Sequence, residues 1–245
     1  MKIVITGASS GLGMETAKIF IAKGWNVTVC ARRIENLETL QKLAPERVKT
    51  AFLDVKDEKC TEILSSLLSE NGKTDVYFHA SGIGSHNKEL NTEKETDVLT
   101  TNCIGFARCV DTAFNYFRKN GGGHIAAISS IAGTKGLGAA ASYSASKAMN
   151  NTYLQCLAQL SKMTGANVKI TDIRPGFVKT AILDKSRNYP MLMSAEYAAN
   201  KIYKAIIRKK RTAIIDWKYA VLVFVWRLIP DFIWERLRID AAEKK

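Results

Sequence analysis

A tyrosine and a lysine four positions apart are the residues of this sequence best suited to acid–base chemistry. Tyr143 and Lys147 fall in a stretch with helical character, where residues four apart share one face and can interact. A free phenol has a pKa of about 10 and exchanges protons poorly at neutral pH. An ammonium ~4 Å away favours the phenolate by up to ~4 kcal/mol at an effective dielectric constant of ~20. We therefore expect Lys147 to lower the pKa of Tyr143, which would make the tyrosine a general acid or base.

A glycine-rich turn has the features of a phosphate-binding loop. It follows a short apolar strand at residues 2–5 and precedes a helical pattern at residues 14–23. Gly7 permits a tight turn, Gly11 lets the backbone approach a pyrophosphate, and Gly13 allows close helix–sheet packing. The phosphates would sit on free amides at the helix amino terminus. An ordinary flexible loop is the alternative, but the flanking strand and helix favour a dinucleotide site formed by Gly7, Ser9, Ser10, Gly11, Leu12 and Gly13.

The spacing Gly-x-x-x-Gly-x-Gly, combined with Tyr143 and Lys147, resembles the short-chain dehydrogenase/reductase family over residues 2–216. By this resemblance, Asn102 supports a proton relay near the lysine. Ser130 lies 13 residues before Tyr143, which is the spacing of the family's catalytic serine. The resemblance therefore implies a catalytic set that consists of Asn102, Ser130, Tyr143 and Lys147.

The same resemblance implies cofactor contacts elsewhere in the chain. Residues 175–180, with the sequence Pro-Gly-Phe-Val-Lys-Thr, match a Pro-Gly-x-Val-x-Thr loop that contacts the nicotinamide end of the cofactor. Asp54 and Val55 match an aspartate–hydrophobe pair near the adenine. Besides the glycine turn, the implied cofactor-binding residues of these motifs are Asp54, Val55, Ala80, Ser81, Gly82, Tyr143, Lys147, Pro175, Gly176, Val178 and Thr180.

One family motif is altered after the fourth predicted strand. Where the family usually has Asn-Asn-Ala-Gly, this chain has His79, Ala80, Ser81 and Gly82. Gly82 still permits the backbone to approach the cofactor ribose. We interpret His79 as a strand-end residue in the structural role of an asparagine, and a catalytic histidine is the alternative.

The end of the second strand indicates which dinucleotide would bind. Ala31 stands where NAD-preferring relatives carry an aspartate, and Arg32 and Arg33 follow it. An arginine can donate paired hydrogen bonds to a 2′-phosphate, which favours NADP(H) over NAD(H). We therefore expect NADP(H) as the preferred cofactor, with NAD(H) as a second choice, and Arg32 as the residue that contacts the phosphate. Alternatively, both arginines belong to a solvated helix start.

Strand and helix patterns alternate along the chain and predict the elements that position these residues. Strand patterns occur near residues 2–6, 26–31, 47–53, 75–80, 123–129, 167–173 and 212–216, and the longest helical patterns near 93–118 and 142–163. This alternation predicts an α/β fold. We expect a single Rossmann-type, doubly wound domain over residues 1–216, with a seven-stranded parallel sheet and helices on both faces. The carboxyl ends of the strands would gather the motifs at one edge.

Composition argues against several other kinds of site and partner. The 245 residues suffice for one α/β domain. The five cysteines show neither Cys-x-x-Cys nor Cys/His pairing, so we expect no metal site, no disulfide and a reducing compartment. The first strand begins at residue 2, which leaves no room for a cleavable signal peptide, so we expect a cytoplasmic protein. The net charge is +13, but no nucleic-acid motif accompanies it, and we expect no nucleic-acid partner.

The segment 217–245 departs most from a plain α/β domain. Its apolar run at residues 219–226 is eight residues long, far short of the ~20 residues needed to span a bilayer. Three of the four tryptophans lie in this tail, and the basic residues 208–211 precede it. Aromatic and basic residues suit contact with the inner face of a membrane. A cover over the substrate pocket or a contact between subunits explains the same apolar surface, so the sequence leaves these alternatives open for residues 217–238.

Together these features predict an NADP(H)-dependent oxidoreductase that reduces a ketone or oxidises a secondary alcohol. Tyr143 would exchange the proton, and Ser130 would stabilise the developing negative charge on the substrate oxygen. By the family resemblance, Lys147 would also bind the nicotinamide ribose, and Asn102 would position Lys147 through water. The expected partners are a small apolar carbonyl compound or alcohol and further copies of this chain, in a homodimer or homotetramer. A non-catalytic NADP-binding regulator and a membrane-surface interaction protein are the alternatives.

The substrate pocket is expected to lie under an apolar segment that follows residue 176. We expect this segment to act as a mobile lid. Met191 and Met193 could equally pack at the start of a helix. The residues expected to line or cover the pocket are Phe177, Ile182, Leu183, Tyr189, Met191, Leu192 and Met193.

Overall fold

A seven-stranded parallel sheet forms the centre of the protein. The computed structural model describes residues 1–70, 72–84, 86–183 and 186–239, together with the backbone of Ala242–Glu243. The strands are β1 (Lys2–Thr6), β2 (Asn26–Ala31), β3 (Val48–Phe52), β4 (Val76–His79), β5 (Gly123–Ile128), β6 (Val168–Pro175), β7 (Arg187–Asn188), β8 (Thr212–Ile215) and β9 (Ala242–Glu243). The sheet has the order β3-β2-β1-β4-β5-β6-β8, and every neighbouring pair in it is parallel. The short strands β7 and β9 form a separate antiparallel pair, which the sequence did not predict.

Helices connect the strands of the sheet. They are α1 (Gly11–Ala22), α2 (Ile34–Gln41), α3 (Cys60–Ser69), α4 (Thr92–Leu99), α5 (Phe106–Lys119), α6 (Ala141–Met163), α7 (Ala195–Ile207), α8 (Trp217–Leu228) and α9 (Asp231–Trp234). The single helix predicted near residues 93–118 is interrupted, because a π-helical turn at Thr100–Gly105 separates α4 from α5. Two short 3₁₀ turns, Ile131–Thr134 and Gly138–Ala140, lie between β5 and α6.

Helices cover both faces of the sheet, so its central strands are apolar on both sides. Ile3 and Ile5 of β1 belong to one buried cluster, with side chains of α1, α2, α7 and α8. Val4, between them, belongs to a second cluster with side chains of α3, α5 and α6. This alternation follows from the two-residue period of a strand, and continuous apolar runs are typical of parallel strands buried on both faces. The predicted α/β fold with a seven-stranded parallel sheet is confirmed.

The carboxyl-terminal tail packs onto this α/β unit through one side of α8. Tyr219, Val223 and Trp226 are buried in the same cluster as residues of β8 and α7. Trp226 Nε1 donates a hydrogen bond to Thr134 Oγ1 at 2.9 Å, and Trp234 Nε1 donates one to the Gly136 carbonyl at 2.6 Å. The tail therefore reaches the loop between β5 and α6. Among the described residues, no helix is long and apolar enough to cross a membrane.

Candidate functional site

One cleft at the carboxyl ends of the central strands brings together most of the predicted site residues. The 3₁₀ turn after β5 presents Ser130, the first turns of α6 present Tyr143 and Lys147, and the segment after β6 forms the facing wall. The cleft is lined by the predicted catalytic and cofactor-binding residues Leu12, Ala80, Ser81, Gly82, Ser130, Tyr143, Lys147, Pro175, Gly176, Val178 and Thr180. Ile182 and Leu183, which were expected to line the substrate pocket, also line it, and the unpredicted lining residues are Ile128 and Ser129.

Ser130, Tyr143 and Lys147 form a compact group inside the cleft. The ammonium of Lys147 lies 5.7 Å from the centre of the Tyr143 ring and donates a hydrogen bond to the Ile128 carbonyl at 3.2 Å. Ser130 Oγ accepts a hydrogen bond from the Ala132 amide at 3.1 Å, which fixes the serine at the start of its 3₁₀ turn. A hydroxyl, a phenol and an ammonium in one cleft can together bind and protonate a carbonyl oxygen.

Burial, rather than the neighbouring ammonium, controls the acidity of this pair. Burial raises the pKa of Tyr143 above its ordinary value, and a hydrogen bond with Ser130 offsets part of the increase. The expectation that Lys147 lowers the tyrosine pKa is therefore wrong for this structure. Burial also lowers the pKa of Lys147 to about 8, although Cys103 and Asp172 act in the opposite direction. Removing each group from water disfavours its charged form, which explains both shifts.

Asn102 lies beside the cleft, in the π-helical turn, and its side chain is buried. Its Oδ1 accepts a hydrogen bond from the Ile83 amide at 2.9 Å, and its Nδ2 donates to the Ile83 carbonyl at 2.8 Å and to Ser146 Oγ at 3.1 Å. A Cβ atom built on Gly82 would lie 3.3 Å from Asn102 Oδ1 and 3.4 Å from Lys147 Nζ. Asn102 thus holds the segment after β4 next to the lysine, and π-helical turns often occur at functional sites.

The glycine turn forms the other end of the site. Gly7 has a φ of +77°, and a Cβ atom there would overlap the backbone of Ser81. Ser10 precedes α1 in an extended conformation, and its side chain makes no capping hydrogen bond, so the first amides of the helix, in Gly11, Leu12 and Gly13, are available to an anion. A close backbone approach followed by an uncapped helix start fits the pyrophosphate of a dinucleotide.

Arg33 is the arginine that lies against the glycine turn. Its Nη2 donates hydrogen bonds to Ser10 Oγ at 3.1 Å and to Ser9 Oγ at 3.3 Å. Asn36, which the sequence analysis did not select, donates to the Ser9 carbonyl at 3.2 Å. Arg32 is exposed beside it. The positive charge nearest the turn therefore comes from Arg33, rather than from the expected Arg32.

Asp54 and Val55 lie just after β3 and do not line the cleft that surrounds Tyr143. Asp54 Oδ1 accepts a hydrogen bond from the Lys56 amide at 3.0 Å, which stabilises a turn. Val55 is buried and packs against Gly105 at the end of the π-helical turn. They lie at the carboxyl end of β3, next to β2, and their contact with an adenine stays a prediction.

Tyr219 from the tail supports the loop that begins at Pro175, a contact that the sequence analysis did not identify. The Phe177 amide donates a hydrogen bond to the Tyr219 hydroxyl at 3.0 Å. The same hydroxyl lies 3.0 Å from the carbonyl oxygens of Pro190 and Met191. A Cβ atom on Gly176 would overlap the tyrosine ring, so the glycine is required for this contact. In the sequence, this contact could have been inferred only from the presence of an aromatic residue, Tyr219, near the start of the tail.

The expected pocket-lining residues separate into four groups. Ile182 and Leu183 line the cleft. Met193 is buried and its backbone pairs with Phe177 and with Lys179, which corresponds to the packing alternative. The rings of Phe177 and Tyr189 contact each other at a centroid distance of 4.9 Å with a tilt of 42°, while Met191 and Leu192 are exposed. Only part of the segment therefore faces the site in this structure.

His79 has the surroundings of a structural residue. It is fully buried at the end of β4, and its Nδ1 lies 2.9 Å from the Tyr77 hydroxyl and 3.2 Å from Thr6 Oγ1. Burial lowers its pKa to about 3. A neutral imidazole held by two hydroxyls agrees with the interpretation of His79 as a substitute for asparagine.

Comparison with known proteins places these motifs in a family. The family model described as short chain dehydrogenase matches residues 1–190. An uncharacterised oxidoreductase of Myxococcus xanthus is 31% identical, over 99% of this chain and 96% of its own length. A short-chain dehydrogenase of Burkholderia cenocepacia J2315 in complex with NADP shares the fold, with a TM-score of 0.82 and 20% identity over 98% of each chain. A variant of actinorhodin polyketide ketoreductase with NADPH is 30% identical, over 74% of this chain and 71% of its own, with a TM-score of 0.66.

Proposed function

Because this chain belongs to the short-chain dehydrogenase family of oxidoreductases, we propose that it reduces small apolar carbonyl compounds with NADPH, or oxidises the corresponding secondary alcohols with NADP⁺. The main support for this proposal is that Ser130, Tyr143 and Lys147 line the same cleft at the carboxyl ends of the strands. Two similar proteins named above contain NADP or NADPH in their structures, which supports the same choice of cofactor here.

Residues at both ends of the site would hold NADP(H), which supplies the hydride when it is bound. The amides at the start of α1 would hold the pyrophosphate, and Arg33 with Arg32 would hold the 2′-phosphate. The remaining contacts would come from the residues at the ends of β3, β4 and β6 and from Lys147. These residues are Asp54, Val55, Ala80, Ser81, Gly82, Pro175, Gly176, Val178 and Thr180.

The catalytic residues would donate a proton to the substrate oxygen and stabilise the negative charge that develops on it. In the reduction, the Tyr143 hydroxyl donates its proton to the carbonyl oxygen, and the pKa of Tyr143, raised by burial, keeps that proton on the phenol beforehand. Ser130 donates a hydrogen bond to the same oxygen and stabilises its negative charge. Lys147, with a pKa of about 8, is close to its own titration at neutral pH and can return a proton to the phenolate. Asn102 keeps the adjacent backbone in place.

An apolar substrate suits the walls around Tyr143. Ile182 and Leu183 line the cleft, and a Cβ atom on Gly84 would lie 2.7 Å from Ile182 and 3.4 Å from the Tyr143 ring, so Gly84 and Ile182 adjoin this ring. Carbonyl compounds with aliphatic or aromatic substituents would lose less hydration free energy here than charged ones.

We also propose that the chain forms a homodimer or homotetramer, because the exposed Leu99 and Ile104 next to α5 provide apolar contact surface.

NADPH consumption with a panel of ketones tests the proposal. Simple aliphatic and aromatic ketones, steroid ketones and β-keto thioesters would be compared for the wild-type protein and Tyr143→Phe. We expect at least one ketone to be reduced ~100-fold faster by the wild type, the usual contribution of a positioned acid. Equal, background rates for both proteins across the panel, with NADPH bound by both, would favour the non-catalytic regulator instead.

A further inference from the structure

Helix α8 has two apolar faces, although only one of them packs against the protein. Tyr219, Val223 and Trp226 are buried on the inner face. The residues of the outer face are 52–70% exposed, and they are Trp217, Val221, Phe224, Val225 and Leu228. Their spacing of four, three, one and three residues places them on one side of a helix, opposite the buried three. Phe232 in α9 is also exposed, at 61%.

The outer face of α8 is a contiguous apolar surface rather than a set of isolated exposed apolar side chains. Single exposed apolar side chains are common, but five on one helical face indicate an interaction surface. The helix has 12 residues and is therefore ~18 Å long, which is too short to cross a bilayer of ~30 Å. A helix of this kind can instead lie in the plane of a membrane surface.

Basic residues border the outer face. At 100° per residue, Lys218 and Arg227 fall on opposite edges of the exposed face, where long basic side chains can reach lipid headgroups. Asp216, at the helix N-cap, is the nearest acidic residue along the chain, and α8 itself contains none. Residues 201–245 contain 12 Lys/Arg and 5 Asp/Glu, so +7 of the net charge of +13 lies in this part of the chain.

We propose that the outer face of α8 docks on the surface of an anionic membrane. The charge distribution favours this partner over a second copy of the chain. An isologous dimer through α8 would bring two segments of +7 together, and their mutual repulsion opposes association. Anionic headgroups would instead attract the border of basic residues while the apolar side chains enter the boundary with the acyl chains.

Docking would also determine where substrate enters. Tyr219, on the inner face of α8, accepts a hydrogen bond from the Phe177 amide and lies against the Pro190 and Met191 carbonyls, so α8 is tied to the chain that follows β6, which lines the cleft at Val178 and Thr180. The exposed Met191 belongs to this segment. The substrate class that follows is a carbonyl compound dissolved in the bilayer. This step rests on the proposed reductase activity, whereas the docking step does not.

Flotation with vesicles tests docking on the full-length protein. Vesicles of phosphatidylcholine alone would be compared with vesicles that also contain phosphatidylserine, at low and high salt. We expect binding to the anionic vesicles only, with loss at high salt because exposed charges are screened. Phe224→Ser/Leu228→Ser should reduce the binding constant at least ~10-fold. Lys218→Gln/Arg227→Gln should reduce it by roughly the same factor.

A matched control removes two exposed apolar side chains outside the tail. Leu43 and Met163 are 57% and 75% exposed, so Leu43→Ser/Met163→Ser changes hydrophobicity by a similar amount and should leave vesicle binding unchanged. Thermal unfolding and NADPH binding would verify that each variant folds. Absence of vesicle binding, or equal binding by the α8 variants, overturns the docking proposal. A lower oligomeric mass of Phe224→Ser/Leu228→Ser would assign the face to a second copy of the chain.

A second measurement separates the substrate step from the activity itself. NADPH consumption would be followed with a long-chain methyl ketone embedded in anionic vesicles and with a short-chain methyl ketone in water. We expect the wild type to reduce the embedded ketone, and Phe224→Ser/Leu228→Ser to lose that rate while keeping its rate with the water-soluble ketone. If the wild type binds the vesicles but reduces only the water-soluble ketone, the proposed substrate class, a carbonyl compound dissolved in the bilayer, is wrong. Reduction of neither contradicts the proposed function and leaves the docking result standing.

Discussion

The guanidinium of Arg33 lies 3.1 Å from the hydroxyl of Ser10, and this contact joins the end of β2 to the glycine turn. It places a permanent positive charge beside the amino terminus of α1, where an anion is already favoured. An arginine in this position can recognise a phosphate through paired hydrogen bonds. Selectivity for NADP(H) would therefore depend on Arg33 more than on its neighbour Arg32.

The first prediction concerns this selectivity. Arg33→Ala should weaken NADPH binding by ~1.5–3 kcal/mol, the contribution of a charge-assisted hydrogen bond, with little change for NADH. Arg32→Ala is the matched control, because it removes the same charge one residue away and should have a smaller effect. Titration calorimetry of the wild type and both variants with NADPH and with NADH measures the six affinities. Equal losses for NADPH and NADH in Arg33→Ala would rule out contact with the 2′-phosphate.

The second prediction follows from the burial of Lys147. Its pKa of about 8 lies below the ordinary 10.5, so between these values the unfolded chain binds a proton that the folded protein does not. The free energy of unfolding contributed by this group should therefore rise as the pH increases from about 8 towards 10.5. Urea unfolding of the wild type and Lys147→Met across this range isolates the effect. The wild type should gain stability relative to the variant, and a constant difference would show that the lysine is not desolvated.

The third prediction concerns the attachment of the tail. Tyr219→Phe leaves the partly buried Phe177 amide without its partner and should lower the free energy of unfolding by ~1–3 kcal/mol. Tyr197→Phe is the control, since its hydroxyl bonds to Asp216 at an exposed position and should contribute less. Denaturant unfolding compares the two variants. A loss for Tyr219→Phe that is no larger than the loss for Tyr197→Phe would mean that the Tyr219 hydroxyl contributes no more than an exposed hydroxyl, which contradicts the prediction.

The sequence predicted the sheet well because central strands such as β1 and β4 contain continuous apolar runs, at residues 3–5 and 76–78. The strand expected at residues 2–6 is β1, and the strand expected at 26–31 is β2. The cleft was also predictable, because carboxyl ends of parallel strands meet at one edge. The motifs at Ser130, Tyr143 and Pro175 accordingly converge there.

The features that the sequence did not predict depend on contacts between distant residues or on burial. Tyr219 meets Gly176 across 43 positions, and no local pattern records that contact. The π-helical turn at Thr100–Gly105 keeps a helical apolar pattern, so it was predicted as continuous helix. The pKa of Tyr143 depends on desolvation and on a hydrogen bond with Ser130, and the sequence spacing to Lys147 records neither of them.

The rate of Tyr143→Phe in a single turnover with saturating NADPH tests the central claim most directly. Tyr153→Phe is the matched control, because Tyr153 lies on the same helix but its hydroxyl bonds to Asp111 instead of facing the cleft. Tyr143→Phe should reduce a ketone at least ~100-fold more slowly than the wild type, since the general acid is lost, while its affinity for NADPH and the rate of Tyr153→Phe stay close to wild type. A Tyr143→Phe protein that retains more than half of the wild-type rate would contradict the assignment of Tyr143 as the proton donor.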